Sequence, residues 1–197
     1  GGGLYLATTG LGQRRAGVDL GLHCIRPGDR VIVSGPVGDH GAAVLLAREQ
    51  FGLAGSLRSD AGSVLPITGI LLALSGLRFM RDPTRGGVAT VSHEIARAAG
   101  ATVRLIERDL PVRPEVRSVC EILGYDPYYL ACEGRVVAVV DAAIAAEAVA
   151  ALHQSGFTEA CVAGTIEMGA PRVVLQTSLG GERILPELED DPLPRIC

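Results

Sequence analysis

The sequence predicts an α/β (α+β) domain, a mixed sheet covered by helices, and three observations predict it. Short apolar runs alternate with stretches of helical spacing along most of the chain. Residues 136–140 are continuously apolar, as in a strand covered on both faces. With 197 residues, 48% hydrophobic and 20% charged, the chain is long enough to bury one sizeable core.

The elements follow in order. A strand is expected over 3–9, then a loop with Arg14-Arg15, and Pro27-Gly28-Asp29 turns the chain into the apolar run Val31-Ile32-Val33. Residues 34–38 break that run, and helical spacing returns over 39–51 through Ala43, Leu46 and Ala47, and again over 64–75. A short strand near 78–81 precedes a helix that starts after Gly86-Gly87, carries Val88, Val91, Ile95 and Ala98 on one face, and stops at Gly100. Strands over 102–106 and 135–140 bracket a helix at 113–123, the Ala-rich 141–155 forms another, and 161–167 and 171–176 are expected to pair with each other. Residues from 186 onward, with Pro186, Pro192 and Pro194, read as a linker or mobile arm that reaches roughly 35 Å at the rise of a polyproline chain.

Composition excludes several functions. A net charge of −4 with dispersed basic residues leaves no basic face for nucleic acid, and no apolar run spans a bilayer. All 18 basic residues are Arg, so a lysine Schiff base and a Walker-type phosphate loop are both ruled out. Five cysteines, Cys24, Cys120, Cys132, Cys161 and Cys197, show neither zinc-knuckle spacing nor a paired framework, which predicts a reducing cytoplasm. His23 beside Cys24 is the nearest approach to a metal pair. Neighbours on a strand point to opposite faces, so no metal site is assigned. The chain opens on Gly1-Gly2-Gly3 with neither Met nor a leader, and is expected to be part of a longer protein.

Three places hold candidate chemistry. The segment Arg81-Asp82-Pro83-Thr84-Arg85-Gly86-Gly87 joins a strand end to a helix start, where free amides and the macrodipole favour an anion. In that reading Arg85 adds a bidentate contact and Asp82 meets a metal; the alternative is a tight turn capped by Thr84 or Asp82. The Gly-rich corner at 34–41 carries Asp39 and His40, with Asp39 also suited to be an ordinary N-cap. Glu133, just before the apolar strand, is either a general base facing a cleft or a solvated turn acid. Cys197, the final residue, is either a carrier thiol or the end of a frayed terminus.

Taken in order, Ser34-Gly35, Gly38-Asp39-His40-Gly41, the 81–87 loop, Glu133-Gly134 and Pro194-Arg195-Ile196-Cys197 resemble the HypE family of hydrogenase-maturation carbamoyl dehydratases. That family lies within the aminoimidazole ribonucleotide synthase-related, PurM-like superfamily. The resemblance runs along essentially the whole chain, and the terminal tetrapeptide is its most specific element. It implies that Cys197 receives a carbamoyl group from the carbamoyltransferase HypF and that ATP-dependent dehydration yields a thiocyanate. The cyano group then passes by way of a HypC–HypD scaffold to the iron of a [NiFe] hydrogenase. It further implies Glu133 as the dehydration base, a nucleotide site drawing on Asp82, Thr84, Arg85, Gly86, Gly87, Asp39 and His40, Mg2+ held mostly by an N-terminal domain, and a homodimer at full length. The corresponding domains are 1–9 as a remnant of the ATP-binding domain, 10–185 as a PurM-like C-terminal domain, and 186–197 as the arm. Two positions depart from the family pattern: Cys132 stands where Asn is usual and Arg135 where Lys is usual.

Two other readings remain open at this point. One is a non-catalytic docking domain recognised through its acidic tail, with Cys197 incidental. The other is an ATP-dependent small-molecule synthase of the same superfamily.

Overall fold

A computed structural model describes residue 3 and residues 7–13, 17–48 and 57–188. Seven strands, β1 (Arg30–Val33), β2 (Leu77–Arg81), β3 (Thr102–Ile106), β4 (Val137–Val140), β5 (Cys161–Glu167), β6 (Arg172–Gln176) and β7 (Glu182–Leu185), form one sheet in the order β2-β4-β1-β5-β3-β6-β7. Only β3 and β6 run parallel; the other neighbours are antiparallel. Five helices, α1 (Asp39–Arg48), α2 (Leu65–Leu72), α3 (Gly87–Ala99), α4 (Pro114–Leu123) and α5 (Ala145–Gln154), pack around it.

Strand alternation divides the core into two faces. Val31 and Val33 of β1, with Val137 and Val139 of β4, join Val88, Val91 and Ile95 of α3 in one apolar cluster. Ile32, Ala138 and Val140 point the other way, onto Ile67 and Leu71 of α2 and Ala148 and Leu152 of α5. All four residues of β4 are buried, as their unbroken apolarity predicts. A third cluster ties Ala42 and Leu45 of α1 to Val116 and Val119 of α4.

Several expectations change. Gly3 and residues 7–9 lie in no strand, and the rest of the predicted 3–9 strand falls outside the described residues. The strands at 161–167 and 172–176 do not pair with each other, because β3 lies between them and hydrogen-bonds both. The connection between them is short enough for a hairpin, and only long-range pairing with β3 overrides it. Strand β7 was not foreseen; it covers the outer edge of β6. On α1 the buried residues are Ala42 and Leu45 rather than Ala43, Leu46 and Ala47, and Ala98 of α3 is exposed while Ala96 is buried. The Ala-rich segment opens with a 3-10 turn at Ala142–Ile144, whose Ala143 N–H donates to the Asp141 side chain, before α5 begins. Gly100 does end α3, at φ 60, in the left-handed region that glycine adopts without strain.

Residues 186–188, expected to open a mobile arm, are held against the domain. The Tyr129 hydroxyl donates to the Pro186 carbonyl at 2.6 Å, Glu187 pairs with Arg97, and Leu188 packs against the α3-side cluster. Residues 186–188 therefore belong to the folded domain, and 189–197 lie outside the described residues.

Ile95 is fully buried and Ile122 is 62% exposed, so the same change at each isolates burial. Ile95→Ala is expected to lower unfolding stability by about 2–5 kcal/mol. Ile122→Ala should stay within about 0.5 kcal/mol of the parent. Urea unfolding followed by circular dichroism measures both.

Candidate functional site

Antiparallel pairing gathers the loops. Val137, at the start of β4, lies opposite Val33 at the end of β1 and opposite Arg81 at the end of β2. The loop after β1, the loop after β2 and the approach to β4 therefore share one edge of the sheet. Main-chain bonds fasten them: Ser34 N–H donates to Val136 O at 3.0 Å, and Cys132 N–H donates to Pro83 O at 3.0 Å. Gly87 presses against the 128–130 segment so closely that a Cβ would sit 2.5 Å from Tyr128 O, with φ at +57.

Between these loops lies a cleft of about 340 Å³, lined in part by Arg81, Asp82, Thr84, Glu133 and Val136, together with Gly62, Val64 and Thr68. It brings together three sequence-predicted residues, Asp82, Thr84 and Glu133. Thr84 does not cap α3; its hydroxyl donates to the Asp82 carboxylate at 2.5 Å. The residue before α3 is Gly86, which makes no side-chain cap. Arg85 is exposed, and Leu188 packs beside Gly86, its Cδ2 3.3 Å from where a Cβ on that glycine would sit. Arg85, Gly86 and Gly87 do not line the cleft.

Asp39 is not an N-cap. It is the first residue within α1, buried, and its Oδ2 accepts from Arg113 Nε at 2.9 Å. Its Oδ1 is buried without a hydrogen-bond partner. Burial pushes the Asp39 carboxyl above the usual carboxylate range, against the pull of Arg113. The group acts as a strut between α1 and the residue that opens α4. His40, next in sequence, turns toward Glu133, with its Nε2 4.0 Å from Glu133 Oε1. Its Nδ1 lies 2.8 Å from Ser59 Oγ.

Asp60 was missed by sequence reasoning. Its side chain is fully buried, and its carboxylate accepts from Glu133 N–H at 3.2 Å and from Gly134 N–H at 3.4 Å. Arg135 Nε stands 3.7 Å from the same carboxylate, with its guanidinium also 3.9 Å from Asp39. A Cβ on Gly134 would fall 1.9 Å from Asp60 O, so only glycine admits this seat. Residues 58–63, Arg-Ser-Asp-Ala-Gly-Ser, look like an ordinary polar connection. Their one signal is a carboxylate beside a Gly and a Ser, which is too common to single out.

Cys132 and Arg135 both find partners. Gly38 N–H donates to Cys132 Sγ at 3.3 Å, so the buried sulfur serves as an acceptor for the main chain. Arg135 Nε donates to Pro36 O at 3.0 Å. Burial pushes the Cys132 thiol up to about 12, which makes it inert at neutral pH.

His23 and Cys24 lie on a 3-10 turn rather than a strand, so the reason given for separating them fails. Their side chains converge with Asp19, the His23 Nε2 being 3.2 Å from Asp19 Oδ1 and the Cys24 thiol donating to Asp19 Oδ2 at 3.6 Å. Asp19 and His23 are exposed and far in sequence from the cleft residues. The four described cysteines are all free thiols. Cys197 lies outside the described residues. Among those residues no helix is long and apolar enough to cross a membrane.

Residues 26–176 match the family described as AIR synthase related protein, C-terminal domain. Over 198 residues the chain is 42% identical to the carbamoyl dehydratase HypE of Rhodobacter capsulatus, covering 99% of this chain and 58% of that relative. The crystal structure of E. coli HypE superposes with a TM-score of 0.86 at 40% identity, over 92% of this chain and 56% of that one. A HypE structure in complex with ATP (TM-score 0.82, 36% identity, 88% of this chain and 54% of that one) and a HypE–HypF complex (TM-score 0.82, 34% identity, 86% and 56%) are similar in the same way. The chain thus spans a little over half the length of the relatives it matches. It belongs to the AIR synthase-related family as a C-terminal domain, and along its whole length it is similar to the carbamoyl dehydratase HypE.

Proposed function

We propose that this chain is the C-terminal portion of an ATP-dependent carbamoyl dehydratase that carries a carbamoyl group on Cys197 and converts it to a thiocyanate for delivery to hydrogenase iron. The single observation that carries the reading is the whole-chain likeness to HypE, at 42% identity, with Glu133 set in a cleft beside Asp82 and Thr84. The ATP-bound and HypF-bound structures of similar proteins support a nucleotide and a carbamoyltransferase as partners, and a cytoplasmic setting, the HypC–HypD scaffold and a full-length homodimer belong to the same reading. Removing the tail should then matter through its thiol, not merely through its acidic charge.

The chemistry divides between the residues at hand. A thiocarbamate loses water only when its oxygen becomes a leaving group, and phosphoryl transfer from ATP supplies that activation. Asp82 and the Thr84 hydroxyl offer hard oxygen donors of the kind Mg2+ takes beside phosphates, while the buried, Arg113-bound Asp39 does not. Arg81, at the cleft wall, is ion-paired with Glu94 and offers a phosphate only the donors that this pair leaves free. Glu133, held by its own backbone on Asp60, accepts an N–H proton from the carbamoyl nitrogen.

The docking of 186–188 serves this scheme. Leu188 lies against Gly86, on the loop whose Asp82 and Thr84 line the cleft. Nine residues, 189–197, then remain to reach Cys197, a contour of roughly 28 Å in extended form.

Three outcomes are expected. With HypF, carbamoyl phosphate and ATP, peptide mass mapping should find the carbamoyl adduct on Cys197 and on no other cysteine. Burial raises the Cys120 thiol to about 11 and those of Cys132 and Cys161 to about 12, and raises Cys24 as well. Label retained in Cys197→Ala would contradict the assignment. In a full-length protein, Glu133→Gln should load normally yet dehydrate ~10²–10⁴-fold more slowly by single-turnover mass spectrometry. Dehydration within about threefold of the parent would reduce Glu133 to a turn acid. Calorimetry on the present chain alone should detect no micromolar binding of Mg-ATP, since the nucleotide site is proposed to lie mostly in an N-terminal domain.

A further inference from the structure

We propose that His40, seated by Ser59, takes from Glu133 the proton that the base removes during dehydration, so that His40 is a proton relay and not a nucleotide ligand. The inference rests on the reading of Glu133 as the base. Its source is the juxtaposition of three side chains: Ser59 Oγ 2.8 Å from His40 Nδ1, and His40 Nε2 4.0 Å from Glu133 Oε1.

Proton counting gives the relay a purpose. Converting R–S–C(=O)–NH2 to R–S–C≡N breaks the C=O double bond and two N–H bonds, together with the bond between the γ-phosphoryl group and ADP. The oxygen leaves as phosphate with the C–O electrons, the two N–H electron pairs complete the triple bond, and of the two protons released the departing phosphate keeps one. Glu133 takes the other, and because a carboxylate is a weak base toward an N–H, passing that proton on to His40 keeps Glu133 ionised while the bond breaks. Imidazole is the side chain best suited to receive a proton near neutral pH and release it again.

Ser59 fixes the orientation of the His40 ring. Ser59 Oγ already accepts the Ala61 N–H at 3.0 Å and has a second lone pair for an Nδ1–H donor. The Nε2–H then faces the Glu133 carboxylate. At 4.0 Å that pair is one bridging water, or a small rotation of the Glu133 side chain, from hydrogen bonding, and such contacts commonly tighten when substrate binds. The His40 side chain is 20% exposed, which gives the proton a way out to solvent, while Glu133 is 37% exposed on the cleft side.

The other charged groups nearby are committed elsewhere. Asp60 binds the main-chain N–H groups of Glu133 and Gly134. Arg135 stands between Asp60 and Asp39. Asp39 is bonded to Arg113, which also reaches Glu159. The His40 ring, by contrast, meets Ser59 and Glu133.

The test uses full-length protein loaded with a carbamoyl group on Cys197 and follows thiocyanate formation by mass spectrometry in a single turnover. His40→Gln, which keeps a polar side chain but cannot accept a proton, and His40→Ala should both load normally and dehydrate on the order of 10²-fold more slowly. Added imidazole should restore much of the rate to His40→Ala, where it can occupy the vacated space, and none to Glu133→Gln. Ser59→Ala should slow dehydration less and shift its pH profile. A parental rate in His40→Gln, or a slow His40→Ala that imidazole does not rescue, overturns the relay while leaving Glu133 as base. A parental rate in Glu133→Gln overturns the base and the relay together.

Discussion

The pairing of β4 between β1 and β2 is the constraint on which the site depends. Because both neighbours run antiparallel to β4, the ends of β1 and β2 meet the beginning of β4 at Val137. Three loops that are distant in sequence are thereby placed side by side, where the Ser34–Val136 and Cys132–Pro83 main-chain bonds fasten them. The strand itself is held by burial on both faces, against α3 on one side and α2 and α5 on the other. Strand order, not loop sequence, therefore decides that Asp82 and Glu133 face one cleft.

Within that frame, a buried carboxylate sets the fine geometry. Asp60 accepts two consecutive main-chain N–H groups, at Glu133 and Gly134, and faces the Arg135 guanidinium. A charge this deeply buried is costly unless it is paired and hydrogen-bonded, and here it is both. The arrangement leaves the Glu133 side chain partly exposed while its backbone is fixed, which suits a group that must meet a substrate in one orientation. Asp39 does comparable work behind it, joining α1 to Arg113 at the head of α4. Acidic residues in the same loops thus divide into struts, which are buried, and cleft-lining groups, which are exposed.

Local pattern revealed the elements and misjudged how they associate. The β4 run, the α3 face around Val88, Val91 and Ile95, and the Gly100 stop follow from periodicity and glycine chemistry, which act within a few residues. The separation of β5 from β6 by β3 does not, since register over sixty residues leaves no local trace. Glu133, Asp82 and Thr84 were legible because they flank strand and helix ends. Asp60 was not, because its role exists only once Gly134 has come within contact of it. Nor was the anchoring of Pro186 and Glu187 by Tyr129 and Arg97, which holds these residues against the domain. Cys197 itself was singled out by position and resemblance and lies outside the described residues.

The central claim is that the Cys197 thiol does its chemistry in the Glu133 cleft, and a nitrile placed on that sulfur tests it most directly. In full-length Cys24→Ser protein, where the remaining described cysteines are buried or raised in pKa, chemical cyanylation of Cys197 yields the product group itself. With Mg-ATP bound, its infrared stretch should lie away from that of an aqueous alkyl thiocyanate and should move when Glu133 becomes Gln, because a nearby carboxylate imposes a field on the C≡N bond. A stretch that stays at the aqueous position and ignores both Glu133→Gln and Asp82→Ala would contradict the account.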